Sequence, residues 1–249
     1  MSEGEIEKTL RGHVDLTPME VGELKRLKKR IMDGEGTPQE KREKLERSAK
    51  YLGASLPFSY WNMTWDDFTG KGHQGVKRFV QKYCERIEEA LEHGQGLIFS
   101  GSHGTGKTAF SIMIAKDAIA KGYTVKYIPV AKVIDLLMES FDDKSFRADL
   151  FTVIERVEFL ILDDLGKEYL GVKKQLNPMV QLNLDSMLRE RMNRNLVTIA
   201  STNFEKTIIK NQYGDSVLSI LQGACKFVEV TGPDFREVKM KQFWDSFNG

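Results

Sequence analysis

One stretch constrains this chain more than any other: Gly101-Ser102-His103-Gly104-Thr105-Gly106-Lys107-Thr108. It fits G-x-x-x-x-G-K-[ST] at every fixed position. Glycines at this spacing let successive backbone N–H groups curl around phosphate oxygens where a Cβ would intrude. The apolar run Gly96–Ser100 before the loop reads as a strand, and a helical pattern follows from Lys107 to about Lys121. A helix opening at the loop offers free N–H donors and the positive end of its dipole to an anion. The expected ligand is therefore a nucleoside triphosphate. Lys107 is expected to reach its β- and γ-phosphates, and the Thr108 hydroxyl to serve Mg²⁺. His103 belongs to the loop but occupies a variable position, so it is expected to be an exposed bystander.

The rest of the chain from Phe58 alternates short apolar runs with helical segments. Strands are expected at Thr124–Val130, Phe159–Leu162, Leu196–Ser201 and Phe227–Val230, besides Gly96–Ser100. Helices are expected at 131–140, at 144–156 and from Pro178, where Asn177 would be the cap and Val180, Leu184, Met187 and Leu188 the buried stripe. Apolar strands alternating with helices specify an α/β fold with a five-stranded parallel sheet covered by helices.

Three further sites sit where such a sheet places ligands, at or just beyond strand ends. Asp163 and Asp164 end the Phe159–Leu162 run. Asp163 is expected to hold Mg²⁺ through water, and Asp164 to orient or deprotonate an attacking water. The plainer alternative has one aspartate capping the turn at Leu165-Gly166. Asn203 follows Ser201-Thr202 and is placed to position water near a γ-phosphate, although asparagine in such a turn usually just caps it. Arg236, after Gly232-Pro233-Asp234-Phe235, is placed to reach back towards phosphate. The expected catalytic set is Lys107, Asp164, Asn203 and Arg236.

Charge density divides the chain near residue 55. The first 55 residues carry 23 charged side chains, against 50 in the remaining 194. Thr17-Pro18-Met19-Glu20 and Thr37-Pro38-Gln39-Glu40 both pair an N-cap hydroxyl with proline at the first helical position and glutamate three residues after the cap. Residues 1–55 are thus expected to form a charged helical hairpin that contacts a partner, and residues 56–249 the nucleotide-binding core. Lys25, Arg26, Lys28, Lys29 and Arg30 crowd the first helix, as a solvated face or as a nucleic-acid or partner contact. The formal net charge is +1, which excludes a polycation but not a local basic groove. Two cysteines and four scattered histidines supply neither a disulfide framework nor a cysteine-rich zinc site. With no signal peptide and no uncharged apolar run near the ~18–20 residues of a membrane span, a cytoplasmic protein without membrane contact is expected.

In order, these elements resemble the DnaC/IstB branch of the AAA+ ATPases, from about Phe58 to the C-terminus. Tyr60-Trp61-Asn62 and Trp65–Phe68 are similar to the segment entering that family's core. Asp163-Asp164-Leu165-Gly166 has the branch's form of the second motif, Ser201-Thr202-Asn203 is similar to its polar sensor, and Gly232–Arg236 to its arginine sensor. The stretch from Lys132 to Val153 resembles an insertion that lines a DNA channel, which makes Lys144 and Arg147 the DNA-binding candidates. The resemblance implies ATP with Mg²⁺, ATPase activity, and self-assembly into a ring, spiral or filament. It also implies DNA, single- or double-stranded, with a replicative helicase or a transposase as partner. Loading a helicase is the leading expectation, and a transposition regulator polymerising on duplex DNA the alternative. Gly214–Leu218 resembles the start of the arginine-finger helix, yet the finger position itself falls on Ile220. Weak hydrolysis is expected unless Arg189, Arg191 or Arg194 substitutes.

Overall fold

The structure, a computed structural model, describes residues 18–70, 72–139, 154–166, 176, 178–235, 237, 240, 244–245 and 247. It divides into two compact units, Met1–Met63 and Thr64–Gly249.

The first unit holds α1 (Pro18–Asp33) and α2 (Pro38–Gly53). The expected capping box closes the start of α2. Glu40 N–H donates to Thr37 Oγ1 at 3.3 Å, and Thr37 N–H donates to Glu40 Oε2 at 2.7 Å, so two otherwise orphaned donors at the helix start are satisfied. Leu24 and Ile31 of α1 meet Leu45, Ala49 and Leu52 of α2, with Trp61 packed against the group. That stripe is thin because it spans only one face of each helix. The unit runs past the drop in charge density at residue 55 to Met63, in keeping with Trp61, whose indole N–H donates to Leu56 O at 2.9 Å.

The second unit begins with α3 (His73–Glu85) and α4 (Ile87–Glu92). Then come β1 (Gly96–Ser100), α5 (Lys107–Ala120), β2 (Val125–Pro129), α6 (Val130–Glu139), β3 (Phe159–Leu165), α7 (Pro178–Asn193), β4 (Val197–Thr202), α8 (Lys206–Ala224) and β5 (Cys225–Glu229). The sheet order is β2-β3-β4-β1-β5, and every pairing is parallel. β1, β3 and β4 are buried almost throughout, which is why they read as continuous apolar runs rather than alternating ones. α5 is apolar on nearly all sides and packs on β1, β3 and β4. Its first turn therefore stands at the C-terminal ends of the central strands. Leu160, Leu162, Leu184, Met187, Tyr213 and Leu221 lie in the larger core cluster, which joins the sheet to α7 and α8.

β3 runs three residues beyond its apolar stretch and takes in Asp163 and Asp164. Its register against β4 shifts between Leu162 and Leu165. Such an irregularity re-aims side chains at a strand end, here at the two aspartates. α8 breaks at Gly214 (φ 90, ψ 166), a non-helical backbone inside an otherwise continuous run. Of the expected helix at 144–156, the described residues 154–156 are helical. Lys144, Arg147, Asn177 and Arg236 lie outside the described residues. Among the described residues, no helix is long and apolar enough to cross a membrane.

Candidate functional site

The glycine loop links β1 to α5. Gly104 and Gly106 take φ of 71 and 93, backbone that a side chain would strain. A Cβ on Gly104 would also fall 2.0 Å from the Asp234 carboxyl. Phe235 N–H donates to Gly104 O at 3.0 Å, so the segment after β5 lies directly against the loop. Thr105 Oγ1 donates to Ser102 O at 2.9 Å and closes the turn. Lys107 is buried, and its ammonium donates to Gly101 O (2.9 Å) and Ser102 O (2.6 Å) across the loop. His103 is exposed, as its variable position suggested.

Asp163 is the hub of the site. Its Oδ1 accepts from Thr108 Oγ1 at 2.9 Å and, in a short hydrogen bond, from Ser201 Oγ. Its Oδ2 accepts from the Tyr127 hydroxyl at 2.6 Å. The head of α5 and strands β2, β3 and β4 thus meet on one carboxylate. Asp164 is half-buried beside it, with φ of 58. Its N–H donates to Ser201 Oγ at 2.9 Å. Aspartate tolerates this left-handed backbone better than most residues, and positions of this kind cluster at functional sites. The turn after β3 is pinned as well: Gly166 N–H donates to the Tyr213 hydroxyl (2.8 Å), and Thr202 Oγ1 donates to Leu165 O (2.7 Å). Asn203 stands half-buried just after β4.

Two members of this arrangement are less visible in sequence than the motifs. Tyr127 sits in β2 between lysine and isoleucine, where an aromatic reads simply as strand. His73 heads α3 and is 2% exposed, and among the described residues neither ring nitrogen has a partner at full hydrogen-bond geometry. It stacks on Phe235 at 4.4 Å between ring centroids and meets Phe110 edge-on at 5.5 Å. A Cβ on Gly106 would lie 3.3 Å from its ring. Burial among aromatics holds its pKa below the ordinary histidine value. No sequence spacing marks His73, because its neighbours come from Phe68, α5 and the segment after β5.

The arginine-finger candidates separate by burial. Arg191 is fully buried and donates to Thr198 Oγ1 (3.1 Å), Ile154 O (2.6 Å), Val157 O (2.9 Å) and Val197 O (2.6 Å). Desolvation pulls its pKa down to about 9, still above neutral pH, so the guanidinium remains charged. With its donors committed inside the fold, Arg191 is not available as an exposed finger, which corrects its inclusion among the candidates. Arg189 and Arg194 are exposed. Arg189 donates to Ser216 Oγ at 2.8 Å and pairs with Asp185, and Arg194 pairs with Glu190. Ile220 is 5% exposed within the core cluster.

The sheet order and the glycine loop heading a buried helix beside a strand-end carboxylate define an AAA+ P-loop domain. More particularly, the chain belongs to the IstB-like ATP binding protein family, whose profile matches residues 76–242. It is 23% identical over 167 residues to the replicative helicase loader DnaC of Escherichia coli K12, covering 65% of this chain and 68% of the relative. It is 26% identical over 122 residues to the insertion sequence IS21 putative ATP-binding protein of Pseudomonas aeruginosa, covering 49% of this chain and 43% of the relative. Among solved structures, the crystal structure of the DnaC helicase loader matches with a TM-score of 0.59 at 22% identity, over 70% of this chain and 100% of that chain. The crystal structure of DnaI matches with a TM-score of 0.60 at 21% identity, over 71% and 95%. At these identities the structural likeness establishes the fold.

Proposed function

We propose that this chain is an ATP-dependent assembly factor that loads a replicative helicase onto DNA. The observation that carries the nucleotide part is the Thr108–Asp163–Ser201 cluster at the head of α5. The helicase part rests on the likeness to a replicative helicase loader. In this reading the loop from Gly101 to Thr108 binds the phosphates of ATP, with Lys107 swinging from its carbonyl partners to the β- and γ-phosphates.

The donor set suits Mg²⁺, which favours hard oxygen ligands. The Thr108 hydroxyl commits its hydrogen to Asp163 and keeps its oxygen lone pairs to offer a cation. Thr108 would hold the ion directly and Asp163 through water. When bound, Mg²⁺ would offset the negative charge of the triphosphate. Asp164 orients the attacking water and draws off its proton as the new P–O bond forms and the bond to the ADP oxygen breaks. Asn203 helps to position that water. Arg236 contributes charge to the phosphates, and an exposed arginine from a neighbouring subunit completes the site. Lys144 and Arg147 contact DNA, and the charged hairpin contacts the helicase.

A second reading, a transposition regulator that polymerises on duplex DNA and recruits a transposase, draws on the IS21 relative. The two part on partner and nucleic acid. In the first, the chain co-purifies with a replicative helicase hexamer in ATP and Mg²⁺, and Lys107→Ala abolishes the complex. ATP-dependent filaments on duplex DNA with no affinity for the hexamer would overturn it in favour of the second.

A further inference from the structure

Tyr127 belongs to none of the nucleotide motifs, yet its hydroxyl makes a 2.6 Å hydrogen bond to Asp163 Oδ2. The other carboxylate oxygen already takes two hydroxyl donors, Thr108 and Ser201. An ionised carboxylate has about four lone-pair positions. Three hydroxyl donors leave it about one acceptor position, so its orientation and its remaining capacity are both set by the protein. Thr108 and Ser201 grip one oxygen from α5 and β4, and Tyr127 grips the other from β2. Without Tyr127, Asp163 Oδ2 loses a donor, and the carboxylate can turn about the oxygen that Thr108 and Ser201 hold.

From this geometry we propose that Tyr127 is a positioning residue for the cation site: its hydroxyl orients Asp163 so that one remaining acceptor position serves water on the metal ion. The proposal rests on the nucleotide and Mg²⁺ reading above. The tyrosine touches neither nucleotide nor metal in this role and acts through Asp163. Hydrogen-bond partners of metal-associated groups typically tune metal affinity about 10- to 100-fold, and a neutral phenol holding one carboxylate oxygen belongs at the lower end. β2 carries Tyr127 at its centre, paired opposite Ile161 of β3, so the sheet itself fixes the distance from phenol to carboxylate.

The test is Tyr127→Phe, which removes only the oxygen and leaves the ring in place. A fluorescent ATP analogue is titrated into wild type and variant, in EDTA and across a Mg²⁺ series. Mn²⁺ binding to the nucleotide-loaded protein is followed by electron paramagnetic resonance. Thermal melting checks that the variant is folded, and Tyr127→His serves as a second variant with a different donor. The expected result is unchanged nucleotide affinity in EDTA, with half-saturating Mg²⁺ and Mn²⁺ raised about tenfold in Tyr127→Phe and partly restored in Tyr127→His. Unchanged half-saturation in the folded Phe variant would overturn the proposal. So would an equal loss of nucleotide affinity with and without cation, which would make Tyr127 a scaffold residue only. Wild type whose nucleotide affinity ignores the cation would overturn both this proposal and the Mg²⁺ reading beneath it.

Discussion

Thr108 and Asp163 are 55 residues apart in sequence, and the threonine hydroxyl donates to the aspartate at 2.9 Å. This bond ties the first turn of α5 to the end of β3, so loop and carboxylate are held together by the fold itself. The threonine methyl is dispensable to that role and the oxygen is not. Thr108→Ser is therefore expected to keep cation-dependent nucleotide affinity within about twofold. Thr108→Val, of nearly the same shape, is expected to lose it by about tenfold or more, as is typical when a group serving a metal site is removed. Calorimetric titration with an ATP analogue, with and without Mg²⁺, compares the two.

Lys107 makes its present contacts to two loop carbonyls, acceptors that a phosphate would replace with stronger charge-assisted partners. Lys107→Ala removes a cation from the phosphate position and leaves the loop carbonyls accessible to water. Two charge-assisted bonds at ~1.5 kcal/mol each amount to a loss of about 100-fold in nucleotide affinity. Folding should survive, since the loop is also closed by Thr105 to Ser102. Equilibrium binding together with a melting curve checks both halves of this prediction.

Arg191 makes the opposite case, a charged residue whose work is internal. It joins α7 to β4 and to the segment at Ile154 and Val157, just before β3. Arg191→Met would fill much of the volume but leave three carbonyls without their donor, two of them buried and Val157 O partly so. At about 1–3 kcal/mol for each unsatisfied buried group, a loss of roughly 3 kcal/mol or more is expected in urea unfolding. Arg191→Lys should rescue little, because a single ammonium cannot reproduce the planar fork.

These residues show what the sequence could and could not disclose. The glycine loop, the five strands and the hairpin caps are local patterns, each written within a few consecutive residues. Lys107, Thr108 and Asp163 are legible for that reason, and the structure bonds Thr108 to Asp163 while the Lys107 ammonium spans the loop carbonyls. Arg191 looks from sequence like any arginine in the last turn of a helix, and only the packing of 154–157 and β4 around it shows that it is buried. Tyr127 and His73 are silent for a related reason. Their partners lie in other strands and loops, and no spacing rule connects them. The apolar run places the end of β3 at Leu162, because Asp163 and Asp164 break it, whereas pairing with β2 carries the ladder to Asp163 and pairing with β4 carries it to Leu165.

His73 predicts an acid-sensitive fold. Burial lowers its folded pKa below the ordinary value, so the unfolded chain takes up a proton first as the medium becomes acidic. Its contribution to stability is full above the unfolded pKa of about 6.5. It is lost progressively as the pH falls through that value towards the folded one. His73→Phe keeps an aromatic ring against Phe110 and Phe235 and removes the titration. Urea midpoints should fall less in the variant than in wild type between about pH 7.5 and about pH 5.5, one unit either side of that pKa. Asp234 lies against the same loop at Gly104, so Asp234→Asn is the control for a carboxylate contribution.

With isoleucine at position 220, an arginine that completes the site would come from elsewhere on the chain. Ile220 is buried in the core cluster and Arg191 is committed inside the fold, which leaves Arg189 on α7 and Arg194 just after it as the exposed candidates. Arg189 is held to Asp185 and Ser216 and is 54% exposed at its side chain; Arg194, paired with Glu190, is 51% exposed. Surface pairs of this kind contribute at most about 1 kcal/mol, so either side chain is readily released to a neighbour. An arginine acting across subunits is worth about 10³ or more in hydrolysis rate. The Arg189→Ala/Arg194→Ala variant is therefore expected to bind ATP normally and to lose any hydrolysis that grows with protein concentration. Lys107→Ala has the reverse defect, with arginines intact and a nucleotide site disabled. Mixing the two variants should restore activity that neither shows alone, because each supplies what the other lacks at a shared interface. Activity in the double-arginine variant equal to wild type, with no gain on mixing, would show that neither residue completes the site.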